Sequence, residues 1–189
     1  MKTLVFDTET TGITRLSFAN ENNYRKWPRM VQIAWIIADD GHILTSEDHL
    51  VAPEGFTIPA KAIQIHGISQ NRAEREGIPA SEALRAFSRA CKQTDTLIAH
   101  NLAFDTGIVE SEALRNEFSL QLPRKRVCTM HLGTRYLRRE KGISRGGHPS
   151  LSRLYETLLG FPPSSQHNAS CDVRTCYQIY RKLSQLGYQ

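Results

Sequence analysis

Residues 3–12 read TLVFDTETTG, an apolar run that passes directly into two carboxylic acids. A short apolar run of this kind is typical of a buried strand, here Thr3–Asp7. Side chains two positions apart in a strand point to the same face, so Asp7 and Glu9 leave the end of this strand together. The stretch therefore predicts a sheet whose first strand carries a pair of carboxylates that can share a cation.

Three further motifs follow downstream. Residues 66–69 read HGIS, residues 100–105 read HNLAFD, and residues 167–172 read HNASCD. Together with the first stretch they supply four carboxylates and one histidine, namely Asp7, Glu9, Asp105, Asp172 and His167. Hard oxygen ligands in this number suit Mg²⁺ or Mn²⁺ rather than zinc. Two such ions and a nearby base are what the hydrolysis of a phosphodiester needs.

The spacing around Asp172 indicates a carboxylate on an otherwise apolar helix face. Asp172 is followed on the same face by Cys176, Ile179 and Leu183, at steps of four, three and four. An unpaired charge on a buried face is very costly, and a metal ion would compensate it. Asp105 admits a simpler interpretation, because a carboxylate in the first turn of a helix interacts favourably with the helix dipole, but the preceding Ala99-His100-Asn101 makes this interpretation insufficient.

The rest of the pattern predicts an α/β protein. Runs at Val31–Ala38 and His42–Val51 flank an Asp-Gly turn and predict an antiparallel hairpin, and Thr96–Ala99 and Val127–Thr129 predict two more strands. The expected helices run from Pro59 to His66, from an N-cap at Ser81, over Phe104–Phe118, up to about Arg138, from Ser150 to Gly160 and over Ala169–Leu186. We expect one domain, residues 1–189, with a mixed five-stranded sheet flanked by helices.

The bulk composition is that of a folded protein with a basic surface. The chain has 189 residues, of which 40% are hydrophobic, and a net charge of +5. Because several acids gather in the motifs, the remaining surface is more basic than this figure, which fits a polyanionic partner but also ordinary solubilising charge.

No apolar run approaches the length of a membrane span, and the first motif leaves no room for a signal peptide, so a cytoplasmic protein is expected. The four cysteines form no Cys-x-x-Cys pair and should be reduced.

In these motifs and their order the sequence resembles the DEDDh family of 3′→5′ exonucleases, from Thr3 to about Leu183. The resemblance implies a ribonuclease H-like fold and two bound Mg²⁺ or Mn²⁺ ions. Asp7, Glu9 and Asp172 would hold one ion, while Asp7 and, through water, Asp105 would hold the other. His167 would take a proton from the attacking water as general base, and 5′-mononucleotides would leave from a 3′ end.

The resemblance also implies contacts to the terminal nucleotide. The backbone at Thr10, the side chain of His66 and the side chain of Asn101 match positions that lie close to the substrate strand. Ile13 or Leu16 could wedge against the terminal base, although either could be an ordinary apolar loop residue. The basic residues before Ser150 could grip phosphates or simply be solvated; they are Arg138, Arg139, Lys141 and Arg145.

Several alternatives stay open at this point. The substrate could be DNA, with single-stranded DNA favoured, or RNA, as in RNA-trimming exoribonucleases. The chain could act alone in DNA repair or as a proofreading subunit with a polymerase partner. Because it stops directly after its last expected helix, without the C-terminal extension that tethers a polymerase, a stand-alone nuclease is favoured. A non-catalytic nucleic-acid-binding module is disfavoured because all five site residues are present, and the oligomeric state is not predicted.

Overall fold

The structure of the protein is a computed structural model that describes residues 1–143, 147–163 and 168–188. Five strands are found in this part of the chain: β1 (Thr3–Thr10), β2 (Met30–Asp39), β3 (His42–Leu50), β4 (Thr96–Ala99) and β5 (Lys125–Cys128). Each of them was expected from an apolar run or a turn signal. β1 extends to Thr10, so both carboxylates of the first motif belong to the strand itself.

The strands form one mixed sheet in the order β3-β2-β1-β4-β5. β2 pairs antiparallel with β1 and with β3, whereas β4 is parallel to both β1 and β5. The predicted mixed five-stranded sheet is confirmed. Because β1, β4 and β5 run in the same direction, their carboxyl ends lie at one edge of the sheet. The first motif ends β1 there, and the HNLAFD motif follows β4.

Seven α-helices surround the sheet in the described residues. They are α1 (Ala60–His66), α2 (Gln70–Glu76), α3 (Ala80–Lys92), α4 (Leu102–Arg115), α5 (Thr129–Glu140), α6 (Leu151–Leu159) and α7 (Ala169–Gln185). Ser150 caps α6 as expected, since its hydroxyl accepts from the Arg153 N–H at 3.3 Å. The structure differs from the expectation at several points. β5 covers Lys125–Cys128, so Thr129 begins α5 instead of ending the strand, and α4 covers Leu102–Arg115 rather than Phe104–Phe118. Helix α2 was not foreseen, and α3 begins at Ala80, after Pro79, so Ser81 is not its N-cap.

The two faces of the sheet bury two separate apolar clusters. Leu4 and Phe6 pack with α3 and α4, whereas Val5 packs with the helices α5, α6 and α7. Side chains alternate along a strand, so the odd-numbered residues of β1 share the face of Val5. Asp7 and Glu9 therefore point towards the side of the sheet that α7 covers. In the described part of the chain no helix is long and apolar enough to span a membrane.

A long connection between β1 and β2 packs against α4. It closes at its base where the Thr11 N–H donates to the Arg29 carbonyl at 2.9 Å. Arg29 also forms an ion pair with the buried Glu112 of α4, at 2.8 Å. Farther along, the ring of Trp27 packs so tightly on Gly107 that an added Cβ would lie 2.0 Å from it. These contacts fix the connection against α4.

Candidate metal and nucleotide site

Three carboxylates meet on the α7 side of β1. Asp7 and Glu9 project from the strand, and Asp172 projects from the first turn of α7. One carboxylate oxygen of each lies within 4.8 Å of the other two, and all three side chains are partly exposed. The helix face below Asp172 is buried as predicted, since Cys176, Ile179 and Leu183 are at most 2% exposed. The structure therefore brings together acids from the first strand and the last helix, and their oxygens can reach one cation.

Asp105 joins the group from the other side of the strand end. It lies in the first turn of α4 and is 3% exposed. Its Oδ1 accepts hydrogen bonds from the Thr8 hydroxyl at 2.7 Å and from the Thr8 N–H at 3.2 Å. The side chain of Thr8 points to the opposite face of the sheet from Asp7 and Glu9. Its hydrogen bonds hold Asp105 close to these two acids. We call these four acids, Asp7, Glu9, Asp105 and Asp172, the carboxylate cluster.

The cluster is electrostatically strained when no cation neutralises it. Burial, followed by repulsion from Asp105, Asp172 and Glu9, raises the pKa of Asp7 well above its usual range. Burial and repulsion from Asp172 and Asp105 raise the pKa of Glu9 to about 7. Burial also raises the pKa of Asp105 to about 7, although the hydrogen bonds from Thr8 oppose the shift. Perturbed acids that face one another in this way are typical of a functional site, and a divalent cation is the group that reverses the shift.

A buried polar network fixes the start of α7. Gln32 of β2 stands opposite Glu9 in the sheet and is 2% exposed. Its Oε1 accepts from the Ala169 N–H at 3.3 Å, and its Nε2 donates to Asp48 of β3 at 2.7 Å. The Ser170 hydroxyl donates to the other oxygen of Asp48. The first turn of α7, which carries Asp172, is thus held against β2 and β3.

His100 braces the neighbouring edge of the site. Its Nδ1 lies 3.0 Å from the Thr129 hydroxyl at the start of α5, and its Nε2 lies 3.0 Å from the Pro149 carbonyl before α6. Burial lowers the pKa of His100 to about 4, so the ring is neutral. His100 therefore ties the end of β4 to two other segments, which is a structural role.

His167 and Arg145 lie outside the described residues. The structure begins again at Asn168, whose side chain caps α7 by accepting from the Ser170 N–H at 3.1 Å. His167 is therefore adjacent in sequence to the residue that starts the helix of Asp172. Its assignment as general base stays a prediction from the motif.

A cleft of about 410 Å³ opens beside Glu9. We call it the first cleft. Its walls come from the end of β1, the following turn, α1 and α4, and they include Thr8, Glu9, Thr10, Ile13, Lys61, Ala62, Ile65, His66 and Phe104. The walls are mainly apolar, and Glu9 is the acid among the residues that line them. Such a cleft suits a ligand that has a flat apolar part and a charged part. A nucleoside phosphate is a ligand of this kind.

His66 forms part of the wall of this cleft. Its Nδ1 accepts from the Ile68 N–H at 3.0 Å, so a neutral ring carries its proton on Nε2. Burial lowers the pKa of His66, which keeps the ring neutral. Nε2 is buried close to the backbone of Thr10 and has no hydrogen-bond partner of good geometry in the described part of the chain. The ring therefore packs beside the Thr10 backbone and helps to fix its position.

The remaining predicted contacts differ in their surroundings. Ile13 is 93% exposed at the mouth of the first cleft, whereas Leu16 packs against the core cluster of α3 and α4. Of the two residues, Ile13 is the exposed one that lines the first cleft; a contact with a base stays a prediction. Asn101 precedes α4 with φ 71°, and its exposed side chain makes no capping hydrogen bond. A left-handed conformation at an exposed asparagine with a free amide fits a contact to an incoming ligand.

Several residues of the site were not identified from the sequence. Ile65 and Lys61 of α1 and Phe104 of α4 line the first cleft. Phe104 adjoins Asp105 in the motif, which was a usable signal. Gln32 and Asp48 carried no signal of this kind, because their partners lie on other elements far along the chain.

The chain is similar in sequence to known exonucleases and polymerases. A family model described as exonuclease matches residues 4–180. The PolC-type DNA polymerase III of Streptococcus agalactiae is 32% identical over 117 residues, which are 62% of this chain and 7% of that protein. The chain therefore spans a small part of the length of this relative.

Two solved structures have the same fold over nearly the whole chain. The zinc-bound form of the Escherichia coli exonuclease I complex with single-stranded DNA matches with a TM-score of 0.77 at 21% identity, covering 98% of this chain and 40% of that one. Exonuclease X in complex with 5′-overhanging duplex DNA matches with a TM-score of 0.63 at 23% identity, covering 99% of this chain and 94% of that one. The expected ribonuclease H-like α/β fold is confirmed.

Proposed function

Because the chain belongs to the exonuclease family, whose model spans residues 4–180, we propose that it removes 5′-mononucleotides one at a time from the 3′ end of a nucleic acid. The observation that carries the proposal is that the carboxylate cluster shares Glu9 with a cleft that has mainly apolar walls. Asp7, Glu9 and Asp172 lie within 4.8 Å of one another, and Glu9 also lines the first cleft. A phosphodiester next to a nucleoside held in that cleft would therefore face the acids.

The donor set fits a hard divalent cation. Asp7, Glu9 and Asp172 would hold one ion, and Asp7 with Asp105 would hold a second, Mg²⁺ or Mn²⁺ being the ions that carboxylate oxygens suit. A cation bound there would polarise the phosphate and lower the pKa of an attacking water. The raised pKa values of Asp7, Glu9 and Asp105 support this assignment, since the acids repel one another without a cation.

The chain's own residues would orient the substrate. Ile13 and Phe104 lie on the wall of the first cleft and can contact the terminal base. The backbone of Thr10, supported by His66, would hold the terminal sugar, and the Asn101 amide would donate to the strand next to the scissile bond. A nucleotide held in this way would keep the scissile bond in a fixed position relative to the acids. Because the reacting groups are already positioned, much of the entropic cost of the reaction is removed.

His167 would act as the general base. It precedes the Asn168 cap of α7, so it belongs to the segment that leads to Asp172. A histidine has an unperturbed pKa of about 6.5 and can accept a proton from water near neutral pH. The proton would move from the attacking water to the imidazole as the oxygen–phosphorus bond forms, and the leaving 3′ oxygen would receive a proton in turn.

Single-stranded DNA is the favoured substrate. Exonuclease I, which shares the fold, is found with single-stranded DNA, and exonuclease X with overhanging duplex DNA. A role in proofreading with a polymerase partner is the second candidate, and the similarity to a stretch of the PolC-type polymerase favours it. Digestion of matched DNA and RNA, with and without a polymerase, would separate these roles.

The direct test compares linear and circular single-stranded DNA in Mn²⁺. Wild-type protein should degrade the linear strand and leave the circle intact, and Asp7→Asn should lose at least about a hundred-fold in turnover. Asp95→Asn is the matched control. Asp95 accepts from the Lys2 N–H at 3.0 Å, at the opposite end of β1, so its substitution should leave the rate unchanged within about two-fold. Cutting of the circle by clean protein, or full activity of Asp7→Asn, would contradict the proposal.

A further inference from the structure

The positive charge of the protein is concentrated in one short segment. Residues 124–141 contain seven basic residues and one acid, a net charge of +6, whereas the whole chain carries +5. The seven are all exposed on β5 and α5 or directly beside them: Arg124, Lys125, Arg126, Arg135, Arg138, Arg139 and Lys141. In the described residues one of them, Arg139, forms an ion pair, with Glu140 at 3.4 Å. The other six form no ion pair there, and Arg135 lies over the Tyr188 ring at 6.0 Å, a contact that leaves its charge exposed to a polyanion.

This segment forms one wall of a groove of about 520 Å³, which we call the side groove. Arg126 of β5 and His131 and Arg135 of α5 line this wall. Arg138 continues it, because positions 131, 135 and 138 fall on one helical face. Glu110 of α4 also lines the groove. Burial raises the pKa of Glu110, and the positive charge of Arg126 opposes that shift.

An exposed aromatic ring stands on another wall of the side groove. Phe18, in the connection between β1 and β2, is 63% exposed and lines the groove together with Ala103 of α4. An aromatic ring that remains open to solvent beside a row of cations is the combination on which single-stranded nucleic acids bind, with bases stacked on the ring and phosphates along the cations. A duplex offers only its phosphates to such a surface, because its bases are stacked on one another.

The side groove adjoins the first cleft. Phe104 lines the first cleft, and its neighbours in α4, Ala103 and Thr106, line the side groove. The connection that follows β1 also reaches both, with Ile13 at the first cleft and Phe18 at the side groove. The carboxyl end of β5 opens at the same edge of the sheet as that of β1. A strand whose terminal nucleotide occupies the first cleft can therefore continue past the start of α4 into the side groove.

We propose that the side groove binds the single-stranded segment on the 5′ side of the scissile bond, with a base stacked on Phe18 and phosphates at Arg126 and Arg135. This inference rests on the proposed function, because it takes the first cleft as the site of the terminal nucleotide. It assigns a role to residues that no part of the active site uses. It also predicts that substrates long enough to reach the groove bind more tightly than short ones.

The test measures binding apart from hydrolysis, by fluorescence anisotropy in Ca²⁺ with labelled oligothymidylates. One probe has about twelve nucleotides, and a trinucleotide is too short to pass beyond the first cleft. The variants are Arg126→Gln/Arg135→Gln and, separately, Phe18→Ala. The control is Arg85→Gln/Arg89→Gln, which removes the same charge from exposed positions of α3 that line neither cleft. Thermal melting of each variant checks that it is folded.

The two variants should weaken binding with different salt dependence. Arg126→Gln/Arg135→Gln should weaken binding of the long probe about ten-fold and reduce the slope of log K against log salt by about 1.4, because each phosphate that an arginine neutralises adds about 0.7 to that slope. Phe18→Ala should weaken the same probe at least about five-fold, with the salt slope unchanged, because stacking releases no counterions. Binding of the trinucleotide should not change, and the control variant should bind both probes like wild type.

Three results would overturn the inference. They are equal weakening of both probes, no weakening of either, and equal weakening in the α3 control. If Arg126→Gln/Arg135→Gln weakens a blunt duplex more than the long single strand, the groove binds duplex and the assignment to a single strand is wrong. Failure of the proposed function is distinguishable from all of these. It would appear as wild-type protein that hydrolyses neither probe in Mn²⁺, whatever the binding data show.

Discussion

Replacing Glu9 by glutamine should make the metal-free protein more stable while removing its activity. Glu9 is held beside Asp7 and Asp172, and burial and the repulsion from Asp172 and Asp105 raise its pKa from 4.5 to about 7. At pH 8 the wild-type carboxylate is ionised in this environment, and folding has to overcome that cost. Glutamine has the same shape and no charge, so the cost disappears.

The magnitude follows from the difference between the two pKa values. A carboxyl group that titrates near 4.5 when unfolded and near 7 when folded destabilises the folded state above pH 7 by about 3 kcal/mol. The folded state binds the extra proton between these values, so the stability of the wild type should fall as the pH rises from about 4.5 to about 7. Because the acids share the repulsion, we expect a gain of about 1–3 kcal/mol for the variant at pH 8, and a melting temperature higher by about 2–4 °C for each kcal/mol.

The assay is thermal unfolding in EDTA at pH 8 and pH 5. At pH 5 the folded wild type already carries the proton, so the advantage of Glu9→Gln should shrink. Glu156→Gln, an exposed position on α6, is the matched control and should melt like wild type at both values. Addition of Mn²⁺ at pH 8 should raise the melting temperature of the wild type more than that of Glu9→Gln, because the variant has lost a ligand.

Two outcomes would refute this reasoning. If Glu9→Gln melts below wild type at pH 8 in EDTA, Glu9 is not held under repulsion in the folded protein. If the variant gains as much at pH 5 as at pH 8, the gain does not come from the charge of Glu9.

Three further predictions concern neighbouring residues. Thr8→Val removes the 2.7 Å hydrogen bond to Asp105 and should cost about 1.5–3 kcal/mol of stability in urea unfolding at pH 8, and Thr8→Ser should restore it. Gly107→Ala should destabilise the protein by at least about 1–3 kcal/mol in the same assay, because its Cβ would lie 2.0 Å from the Trp27 ring; unchanged stability would mean that the ring can move aside. His167→Ala should lose about 10² to 10⁴ in rate, yet bind the same number of Mn²⁺ ions by calorimetric titration. A parallel loss of metal stoichiometry would make His167 a ligand rather than a base.

The strands could be predicted because their signals are local. The Asp39-Asp40-Gly41 turn fixed the hairpin of β2 and β3, and β1 and β4 are marked by short apolar runs. β5 was only partly predicted, because its first two residues, Lys125 and Arg126, are exposed and basic. Helix α2 could not be found in this way, because it has seven residues and buries one of them, Ala73, so it shows no apolar stripe. The start of α3 was placed too late because a serine is a common cap, whereas Pro79 precedes the helix without any side-chain cap.

The site, too, has parts with a local sequence signal and parts without one. Its acids were found because they stand in short motifs. Asp7 and Asp105 meet because β1 and β4 are parallel neighbours that end at one sheet edge, whereas Asp172 comes from the first turn of α7. The support of α7 could not be found, because it joins Gln32, Asp48 and Ser170, which come together only when the sheet has formed. The different surroundings of Ile13 and Leu16 could not be predicted either, since both are apolar residues of one loop, and the structure exposes Ile13 while Leu16 packs on the core.

The most direct test of the central claim is the order in which labels leave one linear DNA strand. Single-stranded DNA labelled at its 3′-terminal nucleotide or at its 5′ end is digested by wild-type protein in Mn²⁺, and the products are resolved at single-nucleotide length. The account predicts that the 3′ label appears at once as a 5′-mononucleotide, while the 5′-labelled strand shortens through a ladder of single-nucleotide steps. Early release of the 5′ label as a mononucleotide, or the appearance of internal fragments from both strands, would contradict it.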